Sequence, residues 1–187
     1  MNWVVFAMLA WLALGLERGL KPMLMLQGGS LTLAPSFVMT LAVFVSMIAP
    51  PAAALWSCLG LGLMLDLLSP KSLGGNTLVT VVGPQALAYL LGAQLVLTLR
   101  GLVIRRNPIS LAFLSLAFGV VAGIAATFLV VVKRLFGTPI EGSAGAELLN
   151  YFVSAGYTSV MAFFLAFALL PMTGLLAGPG GMRGGHR

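Results

Sequence analysis

The length of its apolar runs constrains this chain more than anything else. Stretches of roughly 20 uncharged residues, each long enough for a helix to cross a bilayer, alternate with short clusters of charge, Gly and Pro. Barrel strands would instead be about ten residues long with alternating polarity, and no such alternation is present. Hydrophobic residues make up 60% of the chain and charged residues only 7%. A soluble domain needs about 25% charged residues to cover itself with a wetted surface. With a mean hydropathy of +1.08, the expected fold is an all-α integral membrane protein, a bundle of about six transmembrane helices. The start of the chain lacks the basic opening and small-residue cleavage site of a removable signal peptide, so it is read as a retained first helix.

The expected spans are residues 3–20, 31–49, 51–68, 77–99, 109–132 and 148–170, forming a single transmembrane domain over 1–173. Residues 174–187 read as a disordered, Gly-rich basic tail. Pro50-Pro51 closes the second span and opens the third as a tight hairpin, because Pro suits the first turn of a helix. Asn76 or Thr77 is the expected N-cap of the fourth span, with a kink at Gly83-Pro84. Glu17 and Lys21, four apart, read as an exposed pair at a polar helix end, which contributes little.

The net charge of +6 sits in loops and tail, with no basic face interleaved with aromatics. That pattern argues against nucleic-acid binding. Cys58 is the single cysteine and lies inside an apolar run; His186, the single histidine, belongs to the tail. Neither a disulfide nor a metal site is expected. Intramembrane His, paired carboxylates, GxSxG, HExxH and a phosphate-gripping lysine loop are all missing from the sequence, so neither catalysis nor a cofactor is expected. No internal repeat of the transporter kind is evident in the residues.

One carboxylate stands out. Asp66 is the sole acidic residue between positions 18 and 140, and it ends a hydrophobic run where an ionisable group is costly and usually purposeful. The last turn of its own helix disfavours an anion, so some other group must favour it. Stepping back by four gives Gly62, Cys58 and Ala54, all small and on one helical face. Small residues permit close helix approach, which points Asp66 into a helix–helix seam; the alternative is an Asp at the water interface without a specific partner. Gln85, Tyr89 and Gly92 share a face of the next span and should pack inward. Gly119 and Gly123 form a GxxxG contact motif, extended by Ala122 and Ala126, and the sixth span carries Ala155, Ser159, Ala162 and Ala166 along one side.

Pro35, the stretch from Gly62 through Asp66-Leu67-Leu68-Ser69-Pro70 to Gly74, and Tyr89-Leu90-Leu91 leading to Arg100, Arg105 and Arg106 together resemble the rod shape-determining MreD family of bacteria. The resemblance covers roughly residues 35–132. The Gly74-Gly75-Asn76 turn, the Gly-rich tail and Glu17-Arg18 depart from the family pattern. The resemblance implies a non-enzymatic inner-membrane scaffold subunit of the cell-wall elongation machinery. Its implied partners are the membrane helix of MreC, the MreB system, and RodA with its transpeptidase. It also implies a fold like the substrate-binding subunits of energy-coupling-factor transporters, so a vitamin-type binding subunit is the alternative. On either reading Asp66, Ser69, Pro70, Gly74 and Gly62 form the structural or partner-binding motif, and Gly119 and Gly123 the helix-packing pair.

With six spans, the basic residues divide evenly between the two sides. The Arg cluster at Arg100, Arg105 and Arg106 and the basic tail favour both termini inside. We therefore expect cysteines placed at Gly28, Ser72 and Gly142 to react with an impermeant reagent from outside the cell. Labelling from the cytoplasmic side at any of the three would refute this topology.

Overall fold

The computed structural model describes residues 1–28, 31–68, 71–73, 77–79, 82–103, 107–135 and 144–177. Helix α1 (Trp3–Gly19) leads into an antiparallel hairpin of β1 (Leu26–Gly28) and β2 (Leu31–Leu33), then into α2 (Phe37–Ile48). The same order follows at once: α3 (Pro51–Leu68), a hairpin of β3 (Lys71–Leu73) and β4 (Thr77–Val79), then α4 (Pro84–Leu99). Helices α5 (Pro108–Leu135) and α6 (Ala144–Leu169) follow, and a 3₁₀ turn at Leu170–Met172 leads to the short α7 (Thr173–Ala177).

Three stretches are long and apolar enough to cross a membrane, Pro51–Leu68, Pro108–Val132 and Leu148–Leu176; α2 and α4 are shorter apolar helices. By length and composition this is a helical membrane protein. Helix α2 occupies its centre, touching α1, α3, α4, α5, α6 and α7. Every residue from Phe37 to Met47 is buried. A helix apolar on nearly all sides is either a core element or a membrane span, and the neighbours around α2 make it the former. Its 12 residues reach about 18 Å at 1.5 Å per residue, shorter than the roughly 30 Å hydrocarbon core of a bilayer.

Several sequence expectations are corrected. The expected span 31–49 contracts to Phe37–Ile48, because Pro35 disfavours helix at the residue before it and Ser36 caps the start. Leu31–Leu33 instead pairs with Leu26–Gly28. The expected span 77–99 begins only at Pro84. Gly83 has φ of 120°, a conformation open to glycine, and Pro84 takes the first helical position. Gly83-Pro84 therefore starts α4 rather than kinking it. Thr77 belongs to β4, and Gly83 rather than Thr77 holds the N-cap position of α4, while Asn76 lies outside the described residues. The expected tail loses residues 174–177 to α7, whose Leu176 is buried and whose carbonyl accepts from the Asn2 N–H at 3.1 Å. Residues 178–187 lie outside the described residues. The first span ends at Gly19 rather than residue 20; the fifth extends to 108–135, and the sixth starts at Ala144.

Glycine sets the closest helix approaches. A Cβ on Gly62 would stand 2.6 Å from the Ala86 Cα, and one on Gly119 2.6 Å from the Ala155 Cβ. On Gly123 it would meet the Tyr151 Cβ at 2.8 Å. Gly62 thus fixes α3 against α4, and the GxxxG pair fixes α5 against α6 within the same chain. The buried faces of α4 and α5 meet at Tyr89 and Phe118, edge to face at 5.2 Å between ring centroids.

We expect Gly62→Ala to lower stability by about 1–3 kcal/mol, because backbone rather than a movable side chain blocks the new methyl group. Gly60→Ala meets nothing within 4 Å and should be neutral, or stabilising by up to ~1 kcal/mol through helix propensity. Thermal unfolding of both variants in detergent checks this; equal melting temperatures would refute it.

Candidate functional site

Two buried carboxylates organise the end of the bundle from which the hairpins emerge. Asp66, in the last turn of α3, is 5% exposed. Its Oδ2 accepts from the Gly83 N–H at 2.8 Å and the Ala86 N–H at 3.2 Å, and its Oδ1 accepts from the Gln85 N–H at 3.1 Å. These are main-chain donors that open α4. Gly83, at the N-cap, has no side chain to serve them, and Pro84 carries no N–H, so Asp66 caps α4 from another helix. The positive end of the α4 dipole outweighs the unfavourable C-terminus of α3.

Glu17, in the last turn of α1, repeats the arrangement. It is 7% exposed, and its Oε2 accepts from the Phe37 N–H at 2.7 Å, the Val38 N–H at 3.3 Å and the Ser36 hydroxyl at 3.4 Å. Its Oε1 accepts from Lys21 Nζ at 2.8 Å. Ser36 completes the cap by accepting from the Met39 N–H at 3.2 Å. The pair read as a weak surface interaction is thus a buried cap on the central helix. In both units the carboxylate meets an amide 20 positions further along, Glu17 to Phe37 and Asp66 to Ala86. Helix, carboxylate, hairpin and capped helix therefore occur twice. The repeat lies in geometry, with little trace in residue identity.

Cations serve the opposite ends. Arg100 Nη1 donates to the Ala49 carbonyl at 2.8 Å and the Ser46 carbonyl at 3.4 Å, closing the C-terminus of α2. Arg18, next to Glu17, donates to the Leu68 carbonyl at the end of α3, which brings the two hairpin-bearing helix ends together.

Behind the two caps lies a cavity of about 310 Å³ between α2, α4, α5 and α6. Gln85 and Tyr89 face it from α4, and Asn150, Tyr151, Ser154 and Thr158 from α6. Gly119, Ala122 and Gly123 leave room on the α5 side. Gln85 Nε2 donates to the Tyr151 hydroxyl at 3.1 Å. Ser154 Oγ donates to the Ala34 carbonyl at 3.2 Å, and Thr158 Oγ1 accepts from the Ser36 N–H at 3.1 Å, tying α6 to the start of α2. Asn150 Oδ1 is buried and has no hydrogen-bond partner among the described residues.

Of the sequence-derived site residues, Asp66 and Gly62 meet at the α3–α4 seam, while Gly119 and Gly123 lie on α5 against α6. Ser69, Pro70 and Gly74 lie outside the described residues. Gln85 and Tyr89 face the cavity, but Asp66 takes the main-chain N–H of Gln85 rather than its side chain, and Gly92 packs on the Phe118 ring. Sequence reasoning missed Glu17, Arg100 and the polar face of α6. That face was legible, because Tyr151, Ser154 and Thr158 recur at helical spacing. Compared with protein-family models, curated proteins and solved structures, the chain matches none.

Asp66→Ala leaves the first amides of α4 unpaired, and each orphaned buried donor costs about 1–3 kcal/mol. Asp66→Asn keeps a carbonyl oxygen for part of the cap and should be milder; Glu17→Ala and Glu17→Gln should rank the same way for α2. Chemical denaturation of the four variants in micelles checks this, and a Gln or Asn variant as unstable as its Ala counterpart would refute the capping role.

Proposed function

We propose that this chain is a non-enzymatic, multi-pass scaffold subunit of the bacterial inner membrane, of the rod shape-determining MreD type. In this reading it binds the membrane helix of MreC and links it to the MreB system and to RodA with its transpeptidase. The observation that carries the reading is the engagement of Asp66. The carboxylate at the centre of the resembling motif uses both oxygens on main-chain amides, which supports a role in shaping a helix seam. A motif that fixes helix positions fits a protein whose task is to present surfaces to other membrane proteins.

The six-span bundle belongs to the same proposal. The three long apolar stretches are joined in it by α1, α2 and α4, with the hairpins on one side. Two helix–hairpin–helix units followed by a helix pair are compatible with an architecture like that of energy-coupling-factor binding subunits. The polar, tyrosine-lined cavity favours a second reading, a subunit that binds a small molecule for an energising partner.

Affinity purification of the tagged chain from its native membrane separates the two. The scaffold reading expects MreC and RodA to co-purify, Asp66→Ala to lose them at matched expression, and Asp66→Asn to retain most of them while supporting rod shape. Recovery with an ATPase module instead, or equal loss of function in both Asp66 variants, would overturn it.

A further inference from the structure

The cavity behind the caps continues outward. A second cavity of about 500 Å³ opens between the ends of α1 and α3, and Glu17, Lys21, Ala34, Leu65 and Ser154 line both. Its remaining walls include Leu14, Met25 and Leu68, with Arg18 at the rim. The lateral opening follows from the packing: α1 rests chiefly on α2, with α7 at its start, so the described residues leave a gap toward α3.

The two chambers differ in chemistry. The outer one is apolar with two cations, Arg18 and Lys21, against the single carboxylate of Glu17. That carboxylate is already engaged by three donors at the start of α2 and by Lys21. Arg18 uses one of its nitrogens on Leu68, and a guanidinium has donors to spare. Apart from Glu17 and Lys21 at the shared wall, the inner chamber is lined by hydroxyl, amide and small apolar groups, and at its wall the buried Asn150 Oδ1 has no hydrogen-bond partner among the described residues. An unsatisfied buried acceptor of this kind calls for a donor. A molecule matching both chambers has apolar chains, then an anionic group, then a neutral end bearing hydroxyl donors.

We infer that the joined cavities bind an anionic phospholipid with a hydroxylated headgroup. The phosphate sits beside Arg18 and Lys21, the headgroup hydroxyls donate to Asn150 Oδ1 in the inner chamber, and the acyl chains leave past Leu14, Leu65 and Met25. Arg suits the phosphate because charge-assisted N–H contacts are the stronger ones. This goes beyond the scaffold reading and holds whether or not the chain delivers anything across the bilayer. Phosphatidylglycerol fits these terms. Phosphatidylcholine with the same chains lacks the donor and brings a cation toward a cationic rim.

The test titrates the lipid-free full chain, in a polyoxyethylene detergent, with phosphatidylglycerol, phosphatidylcholine and sn-glycerol 3-phosphate, counting bound molecules by native mass spectrometry. Phosphatidylglycerol should bind about tenfold tighter than phosphatidylcholine: both bring the phosphate, but phosphatidylcholine lacks the hydroxyl bond to Asn150 and sets its choline against the cationic rim. Arg18→Gln and Asn150→Leu should each remove most of that preference. Arg18 is exposed and Gln keeps an amide donor for the Leu68 carbonyl, so its melting temperature should match the parent's; Asn150→Leu removes an unpaired acceptor, so its melting temperature should not fall. Equal affinity for the two lipids, or undiminished preference in both variants, would overturn the inference. Glycerol 3-phosphate binding as tightly as phosphatidylglycerol would overturn it too, since the apolar chamber would then contribute nothing.

Discussion

The structure depends on satisfying helix ends where water does not reach. Each helix leaves four N–H groups at its start and four carbonyls at its end without internal partners, and in hydrocarbon each unpaired group costs several kcal/mol. A helix long enough to cross the bilayer delivers those groups to the interface. Helix α2 cannot, because its 12 residues are enclosed on every side. Glu17 at its start and Arg100 at its end solve this with charges whose signs oppose the helix dipole. Both ends of the core helix are therefore closed by residues outside it.

The same solution at α4 explains why Asp66 tolerates its position. A carboxylate in the last turn of an apolar helix is unfavourable when that helix is considered alone. Once Gly62 lets α4 approach until a methyl group would clash, three main-chain donors converge on the carboxylate. Close approach and capping are thus one device, with the glycine setting the distance that the carboxylate requires. Its recurrence through Glu17 gives two units of one design, both opening toward the same end of the bundle.

These caps also shape the cavity. The hairpins and the chain entering α2 hold the caps at one end, while the small side chains of α5 keep the interior from filling. Tyr151 and Gln85 bond to each other across the space instead of closing it. A scaffold of tightly packed helices carries no need for such a chamber. A bound amphiphile would satisfy it and would couple the seams of the bundle to the surrounding lipid.

The sequence by itself determined the class of protein, the positions of most helices and the inward placement of Asp66 in a helix seam. Those follow from local quantities: run length, the placement of charge, and small residues recurring every fourth position. It did not reveal that span two is a short core helix, since 31–49 is apolar enough to cross and periodicity does not distinguish lipid from protein as the surroundings. Glu17 was read as a surface residue for the same reason, because a Glu four before a Lys looks identical whether exposed or buried. Arg100 looked like part of a basic loop. Only the tertiary structure decided these roles, because a cap supplied from another helix depends on where two chain segments 20 or 50 residues apart come to rest. That placement is set by the packing of all the helices together, and no local window contains it.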